Sequence, residues 1–279
     1  MLRSWREQLL IGLAPSELTL VRLAGRWRPR VTAKRAVPCD PAFGPEPWHG
    51  AVAALKEASE SLRGEGLNVT VVLSNHFVRY AFVPWNEAVA GAAEELALAR
   101  HCFARVHGER AKSWTLGLSE EPAGMPRLGG AIDTALLEAV RACFPANGKA
   151  RLVSLQPHLM AAVNCWGNSM PQTGAWLLIA EPDRACLVLR AANRWHAILS
   201  TKGSFAAPEE WATLLDRERH RIVEGDSATT VLVHAAHNMA TRWPQIGDWK
   251  FERLTLPPVD GYLPLADGRY TMALAASQS

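Results

Sequence analysis

Residues 9–37 read LLIGLAPSELTLVRLAGRWRPRVTAKRAV, and this stretch decides the fold because apolar runs alternate in it with turn residues. The pattern predicts three consecutive strands, with turns at Pro15-Ser16 and at Gly25. The three strands are Leu9–Ala14, Leu18–Ala24 and Arg28–Val37. Strands joined by such short connections form an antiparallel meander, so we expect the chain to open with one.

The order strand, strand, strand, helix, strand occurs twice in the chain. After the first meander, Trp48–Leu62 has its apolar residues at helical spacing and Val69–Leu73 is typical of a strand. The same order returns about 165 residues later. The second set comprises the strands Ala175–Ala180, Ala185–Arg190 and Arg194–Ser200, the helix Pro208–Ile222 and the strand Thr230–His234. We therefore predict an α/β protein with mixed sheets, built from two lobes of duplicated β-β-β-α-β units.

A small α+β segment interrupts the first unit. We predict in it a long Ala-rich helix, Glu87–Val106, and a strand pair, Ser113–Leu118 and Pro126–Ile132. A return strand, Arg151–Leu155, leads into a helix, Pro157–Trp166. The predicted domains are a first lobe over residues 1–82 and 145–170, the insertion over 83–144, and a second lobe over 171–279. We expect the second lobe to lack an extra subdomain, because only a short connection separates Thr201 from Pro208. Residues 270–276 are predicted to form a short helix that packs back on the molecule.

The composition excludes several classes of protein. The 279 residues are 48% hydrophobic and 20% charged, as in globular proteins, and the net charge is only +3 without dense basic tracts. We therefore expect no nucleic-acid partner. The five cysteines are scattered without a C-x-x-C pair, which favours a reducing cytoplasm. No apolar run approaches the roughly 18 residues that a membrane-spanning helix needs, so no direct span is expected.

Motifs for the common catalytic sites are missing from the sequence. It contains no G-x-S-x-G, H-E-x-x-H or G-x-x-x-x-G-K-[ST] pattern. His234 and His237 have a spacing that can place two imidazoles on one helical face, but neither Glu nor Cys accompanies them. We expect no metal site and no catalytic residue.

The duplicated lobes resemble the ground plan of the actin, sugar-kinase and Hsp70 superfamily, in which ATP lies between the lobes. The opening stretch Leu10–Leu23 is similar to the first hairpin of the PilM family of type IV pilus proteins. Val83-Pro84-Trp85, residues 130–137 (GAIDTALL) and residues 152–157 (LVSLQP) resemble the inserted subdomain and return strand of that family. The cytoplasmic part of the type II secretion protein GspL and the pilus protein MshI share this plan.

The resemblance implies a first phosphate-binding hairpin with an Asp, a Gly and a later basic residue. In this chain those positions fall on Gly12, Ala14 and Thr19, and Ser16 lies in the turn. A Gly at 12 cannot hold the water shell of a magnesium ion as an Asp does. The first hairpin is therefore predicted to have lost its nucleotide function.

The second hairpin and the adenosine loop depart from the family pattern in the same way. The second turn contains Glu181 and Asp183 on either side of a proline, which lacks the amide donor that a phosphate needs. The adenosine loop should be glycine-rich, yet the chain has Ala235 and Ala236 there. We predict a degenerate nucleotide cleft, no cofactor and a pseudo-ATPase. The alternative is an ATP-binding actin-like ATPase of the same machinery, in which Glu181 or Asp183 holds Mg²⁺.

The resemblance also implies what the protein binds. The resemblance implies that, as in PilM proteins, a groove binds a short N-terminal segment of PilN, a bitopic inner-membrane protein. The matching positions in this chain are Val83, Pro84, Trp85 and the helix around Ala88–Arg105. Five of the eleven tryptophans are further candidates for a contact surface: Trp5, Trp27, Trp48, Trp85 and Trp114. The expected protein is a cytoplasmic scaffold, peripheral to the inner membrane through its partner. The assembly ATPase as a second partner, a GspL-like role in binding that ATPase, and a homodimer stay open.

Overall fold

The computed structural model describes residues 7–25, 28–89, 91–167, 170–191, 194–203, 208–220, 228–235, 245–264 and 266–278. In chain order the strands are β1 (Glu7–Leu13), β2 (Glu17–Ala24), β3 (Arg30–Pro38), β4 (Leu67–Leu73), β5 (Val78–Val83), β6 (Trp114–Leu118), β7 (Arg127–Asp133), β8 (Arg151–Pro157), β9 (Ala175–Glu181), β10 (Arg184–Ala191), β11 (Arg194–Lys202), β12 (Thr230–Ala235), β13 (Gln245–Ile246) and β14 (Trp249–Arg253). The α-helices are α1 (His49–Leu62), α2 (Ala92–His107), α3 (Thr134–Cys143), α4 (His158–Trp166), α5 (Pro208–Arg219) and α6 (Thr271–Leu274).

The chain forms two compact units. Unit 1 comprises Met1–Phe77, Ala135–Gly167 and Thr255–Ser279, and unit 2 comprises Val78–Thr134 and Asn168–Leu254. None of the helices in the described part of the chain combines the length and the apolar character needed to cross a membrane.

Unit 1 contains a five-stranded mixed sheet in the order β3-β2-β1-β4-β8. The predicted meander is confirmed, since β1, β2 and β3 pair in antiparallel fashion while β4 pairs in parallel with β1. The crossover from β3 to β4 is α1, which buries Ala51 and Leu55. Burial of the apolar side chains of β1 and β2 therefore stabilises the fold of unit 1, because removal of apolar surface from water is the main favourable contribution to the free energy of folding.

The final segment of the chain packs in unit 1. Ala273 and Leu274 are buried in one cluster with Leu10 and Val21 of the meander. All of residues 171–279 were predicted to lie in the second lobe. In the structure, the chain from Thr255 onward instead belongs to unit 1. The apolar side chains of α6 are buried against β1 and β2, which offer this segment a hydrophobic surface. The predicted short helix near residues 270–276 is confirmed by α6.

Unit 2 repeats the plan in a six-stranded sheet ordered β11-β10-β9-β12-β14-β13. Strands β9, β10 and β11 form the second antiparallel meander, and β12 pairs in parallel with β9. Helix α5 packs Trp211 and Leu215 into a cluster with Trp176 of β9. Because β11 ends at Lys202 and α5 begins at Pro208, the link between them has no room for a further subdomain.

Some elements of unit 2 were not predicted. The short strands β13 and β14 lie at one edge of the sheet. β14 has five residues, of which Trp249 and Phe251 are buried. Helix α5 ends at Arg219, and Ile222, the predicted end, lies outside the described residues. Strands this short carry too few alternations to be separated from loops by pattern alone.

A three-stranded antiparallel sheet with the order β5-β7-β6 forms the core of the inserted segment. Helix α2 packs Phe103 on this sheet with Ala131. The predicted helix began at Glu87, but α2 begins at Ala92, because Gly91 has a φ of 130° and the side chain of Asn86 accepts a hydrogen bond from the Ala88 amide. The insertion was predicted to span residues 83–144. In the structure, the segment that belongs to unit 2 begins at Val78 and ends at Thr134, and α3 from Ala135 belongs to unit 1.

Candidate partner-binding groove and the nucleotide motifs

The first hairpin is closed by packing at the position where the resemblance expects an Asp. Gly12 on β1 lies directly opposite Thr19 on β2. A β-carbon on Gly12 would lie 2.5 Å from Thr19 Oγ1 and 2.8 Å from Met272 Cε. Real β-carbons do not approach other atoms this closely, so a carboxylate side chain requires the neighbours to move. A larger residue at this position therefore requires the side chains of Thr19 and Met272 to shift.

The remaining residues of this hairpin offer little for binding. Pro15 and Ser16 form the turn, which is closed by a hydrogen bond of 3.0 Å from the Ala14 amide to the Glu17 carbonyl. Ala14 is half-buried and Ser16 is exposed. Thr19 is buried and its hydroxyl lies 3.5 Å from the carbonyl oxygen of Gly12.

The second hairpin brings Glu181 opposite Arg184, with Pro182 and Asp183 in the turn. Asp183 has a φ of 56°, in the left-handed region that Asp tolerates better than most residues. Arg184 is buried and donates to Ser200 Oγ at 3.1 Å. Burial lowers the pKa of the Arg184 guanidinium, and the Glu181 carboxylate acts in the opposite direction. The Glu181 charge therefore faces an arginine of its own sheet.

The described residues contain no group of three or more His, Cys, Asp or Glu side chains that could hold a metal ion. Ala235 is buried at the end of β12, and His234 before it is buried as well. Ala236 and His237 lie outside the described residues, so the predicted adenosine loop is described only up to Ala235. All five cysteines are free.

A groove in unit 2 contains the three residues predicted to bind a partner. Nine residues line it: Val83, Pro84, Trp85, Asn86, Val89, Glu95, Leu98, Met125 and Arg127. They come from the end of β5, the segment between β5 and α2, the first half of α2, the turn before β7 and the start of β7. Val83 is buried below the groove, whereas 37% of Trp85 is exposed. The structure therefore brings Val83, Pro84 and Trp85 into one concave surface with α2.

An ion pair contributes the charged part of the groove. Arg127 Nη2 lies 2.9 Å from Glu95 Oε1, and the two side chains are 24% and 22% exposed. Arg127 also donates to the carbonyl oxygen of Ser119 at 3.3 Å. Both charges are thus held in place at a mainly apolar surface, an arrangement that can orient a peptide backbone. Glu95 lies within the predicted region Ala88–Arg105, whereas Met125 and Arg127 were not foreseen from the sequence, since only the fold brings them next to Trp85.

The other tryptophan candidates have different surroundings. Trp48 is half-buried and stacks on His49 with ring centroids 4.0 Å apart. Trp114 packs edge-on against Phe103 in the small core of the inserted segment. Trp5 and Trp27 lie outside the described residues. Among the three candidates that the structure describes, Trp85 combines exposure with a concave surrounding.

Comparison with solved structures identifies the fold. The cytoplasmic domain of EpsL, an inner-membrane component of the type II secretion system of Vibrio cholerae, superposes with a TM-score of 0.58 at 13% identity, over 98% of this chain and 94% of that chain. A chain of the PilM–PilN type IV pilus biogenesis complex gives 0.54 at 16% identity, over 83% and 82%.

A Bacteroides thetaiotaomicron protein with an actin-like ATPase fold and unknown function gives a TM-score of 0.58 at 9% identity, over 85% and 84% of the two chains. No protein-family model and no curated protein sequence matches this chain. At these identities the likeness concerns the fold. The chain therefore has the actin-like fold, as the duplicated meanders predicted.

Proposed function

We propose that this protein is a cytoplasmic scaffold of a type IV pilus or type II secretion assembly platform. In this role a bitopic inner-membrane protein of the PilN type holds it at the membrane, and it does not hydrolyse ATP. The observation that carries the proposal is the likeness to the EpsL cytoplasmic domain, which extends over 98% of this chain and 94% of that domain. Function does not follow from fold alone, so the proposal also needs a site.

The groove around Trp85 supports the proposal as the site for the partner. Its lining combines the exposed ring of Trp85 with the apolar side chains of Val89, Leu98 and Met125. Aromatic residues in a concave setting are the usual centres of binding energy at protein interfaces. A short apolar segment of the partner fits such a surface, because its side chains gain burial while its backbone finds the polar groups of the lining.

The state of the first hairpin supports the proposal that ATP is not used. The space that a carboxylate at position 12 would need is taken by Thr19 and Met272. Both neighbours belong to unit 1, so its own packing keeps the position small. A chain that relied on Mg²⁺ held at this hairpin would need a different residue there.

The proposal is tested by measuring binding of a peptide that contains the cytoplasmic N-terminal segment of the PilN-type protein encoded in the same genome. We expect micromolar binding, reduced at least about tenfold by Trp85→Ala and by Val89→Glu. Val106→Glu is the matched control, because Val106 lies near the C-terminal end of α2, is 72% exposed and is not part of the groove lining.

Two results would contradict the proposal. The peptide does not bind the unmodified protein, or it binds all three variants with the affinity of the unmodified protein. Circular dichroism of each variant shows that a loss of affinity does not come from unfolding.

A further inference from the structure

The loop between β6 and β7 forms part of the groove around Trp85. This β6–β7 loop comprises residues 119–126, with the sequence SEEPAGMP. Met125 belongs to the loop and lines the groove, and Arg127, which also lines it, follows at the start of β7. The shape of the groove therefore depends on how this loop is held.

Hydrogen bonds fix the two ends of the β6–β7 loop. At its base, the Ser119 amide donates to the Leu128 carbonyl at 2.9 Å, and the Leu128 amide donates to the Ser119 hydroxyl at 2.9 Å. Near the other end, the Met125 amide donates to the Pro122 carbonyl at 3.2 Å and closes a turn. Glu121 lies in the middle of the loop, between these two sets of contacts.

A side chain from the six-stranded sheet of unit 2 contacts the middle of the loop. Trp195 Nε1 donates a hydrogen bond of 2.5 Å to Glu121 Oε1. Trp195 lies on β11, an edge strand of that sheet, and follows Glu121 by 74 positions in the chain. A hydrogen bond to a carboxylate is about twice as strong as one between neutral groups. This contact therefore joins the β6–β7 loop to a distant part of the same unit.

The indole of Trp195 is itself held in place. Its side chain is buried, and Arg190 on β10 lies directly opposite it in the strand pairing. Arg190 Cζ lies 5.3 Å from the centroid of the Trp195 ring, a distance at which a cation attracts an aromatic face. The strand β11 also contacts β5, which carries Val83 of the groove. The donor thus has a fixed position to which the loop is anchored.

We propose that Trp195 is a positioning residue for the groove around Trp85. Its hydrogen bond to Glu121 holds the β6–β7 loop in the conformation that places Met125 on the groove. Trp195 is not among the residues that line the groove, so it acts on a bound peptide only through the loop. The inference rests on the proposed function of the groove and adds that the second meander, through β11, controls its shape.

Hydrogen exchange of the β6–β7 loop tests the positioning without any partner. Trp195→Phe keeps an aromatic ring but removes the donor, so we expect the loop amides, including that of Met125, to exchange at least about threefold faster. Mass spectrometry of peptides that cover residues 119–126 measures the rates in the full chain. Loop exchange in Trp195→Phe at the rate of the unmodified protein would overturn the proposal, whether or not a peptide binds the groove.

Trp249→Phe is the matched control. Trp249 lies on β14 of the same sheet, is buried and donates to Asp216 Oδ1 at 2.8 Å, and Arg219 Cζ lies 5.6 Å from its ring. The change therefore removes the same kind of contact, but none of these residues belongs to the β6–β7 loop. We expect its loop exchange to match that of the unmodified protein. Equal acceleration of loop exchange in both variants would reveal a general loosening of unit 2 and contradict the proposal.

Binding of the PilN-type peptide tests the consequence for the groove, with variants of the half-buried Glu121 in place of the buried tryptophan. Glu121→Ala removes the acceptor and is expected to weaken binding at least about threefold, because Met125 is then no longer held at the groove. Glu121→Gln keeps a side-chain oxygen that accepts from the indole, so it is expected to recover most of the affinity that Glu121→Ala loses.

The two measurements separate this inference from the proposed function. If the peptide binds the unmodified protein and Glu121→Ala equally well, the positioning role of Trp195 is wrong while the proposed function stands. If the peptide does not bind the unmodified protein, the proposed function is wrong, and the exchange rates of the β6–β7 loop still decide whether Trp195 holds it.

Discussion

Gly12 lies against the side chain of Met272, and the gap between them holds no β-carbon. A β-carbon at Gly12 would be 2.8 Å from Met272 Cε and 2.5 Å from Thr19 Oγ1. Met272 belongs to α6, near the other end of the chain from Gly12, and both residues lie in unit 1. The glycine at position 12 and the returning C-terminal segment are therefore parts of one packing arrangement.

A carboxylate introduced at position 12 should destabilise the fold. We expect Gly12→Asp to lower the free energy of unfolding by about 1–3 kcal/mol or more, because the side chain overfills a packed position and its charge is buried. Urea denaturation measures the change. Met272→Ala combined with Gly12→Ala should cost less than the two single changes added together, since removal of the Met272 side chain makes room. Strict additivity would show that Met272 does not restrict this position.

Titration with magnesium-ATP should give no binding heat at near-physiological salt. The reason is that the first hairpin has no room for a carboxylate at position 12, while Glu181 of the second faces Arg184. Isothermal titration calorimetry of a sample shown to be folded measures this directly. Micromolar binding that is lost in Glu181→Ala or Asp183→Ala would instead support the alternative, an ATPase that holds Mg²⁺ at the second hairpin.

Asp267 should make stability depend on pH. Burial raises the pKa of its carboxyl, but hydrogen bonds from Lys34 and from the Leu263 amide outweigh burial, so the pKa is lowered. A carboxyl with a lowered native pKa stabilises the fold above its unfolded pKa of about 3.9, and this contribution is lost as the pH falls through the native pKa.

Asp267→Asn should therefore lower the free energy of unfolding by about 1–3 kcal/mol at pH 7, with a difference from the unmodified protein that narrows toward about pH 3. Urea denaturation across this pH range measures it. Asp248→Asn is the control, because the Asp248 side chain is 79% exposed and its ion pair with Arg219 should contribute at most about 1 kcal/mol. A difference for Asp267→Asn that stays constant with pH would refute the assignment.

Cys165 should react slowly with alkylating reagents at neutral pH. Burial raises the pKa of its thiol to about 11. Because the thiolate is the reactive form, the labelling rate should increase about tenfold per pH unit up to that value. Mass spectrometry of iodoacetamide-treated protein from pH 7 to pH 10 measures the rate at each cysteine, and Cys165→Ser identifies the peptide. A rate that levels off below pH 9 would contradict the raised pKa.

Much of the fold was predictable because its signals are local. The strands of both meanders and the helices after them follow from alternation and helical spacing within segments of 7 to 14 residues. The turn at Pro15-Ser16 follows from residue types that favour turns. The start of α2 was wrong by five residues, since the turn that Asn86 begins and the φ of Gly91 interrupt an otherwise helical pattern.

The candidate groove was predictable in part. Val83, Pro84 and Trp85 were chosen from the resemblance, and they do lie together beside α2. Glu95 lies in the predicted region Ala88–Arg105, but Arg127 and its ion pair with Glu95 were missed. The two residues are more than thirty positions apart in the chain and meet only where β7 begins beside the first half of α2. No sequence pattern marks such a pair.

The sequence by itself determined the two meanders, the absence of known catalytic motifs and the α/β class, because each depends on neighbours within a few residues. The tertiary structure alone decided that the described residues between 255 and 278 pack in unit 1, and that a β-carbon at Gly12 would meet the side chains of Thr19 and Met272. The physical reason is that burial and close packing join residues far apart in the chain, and local periodicity contains no information about which distant surfaces meet.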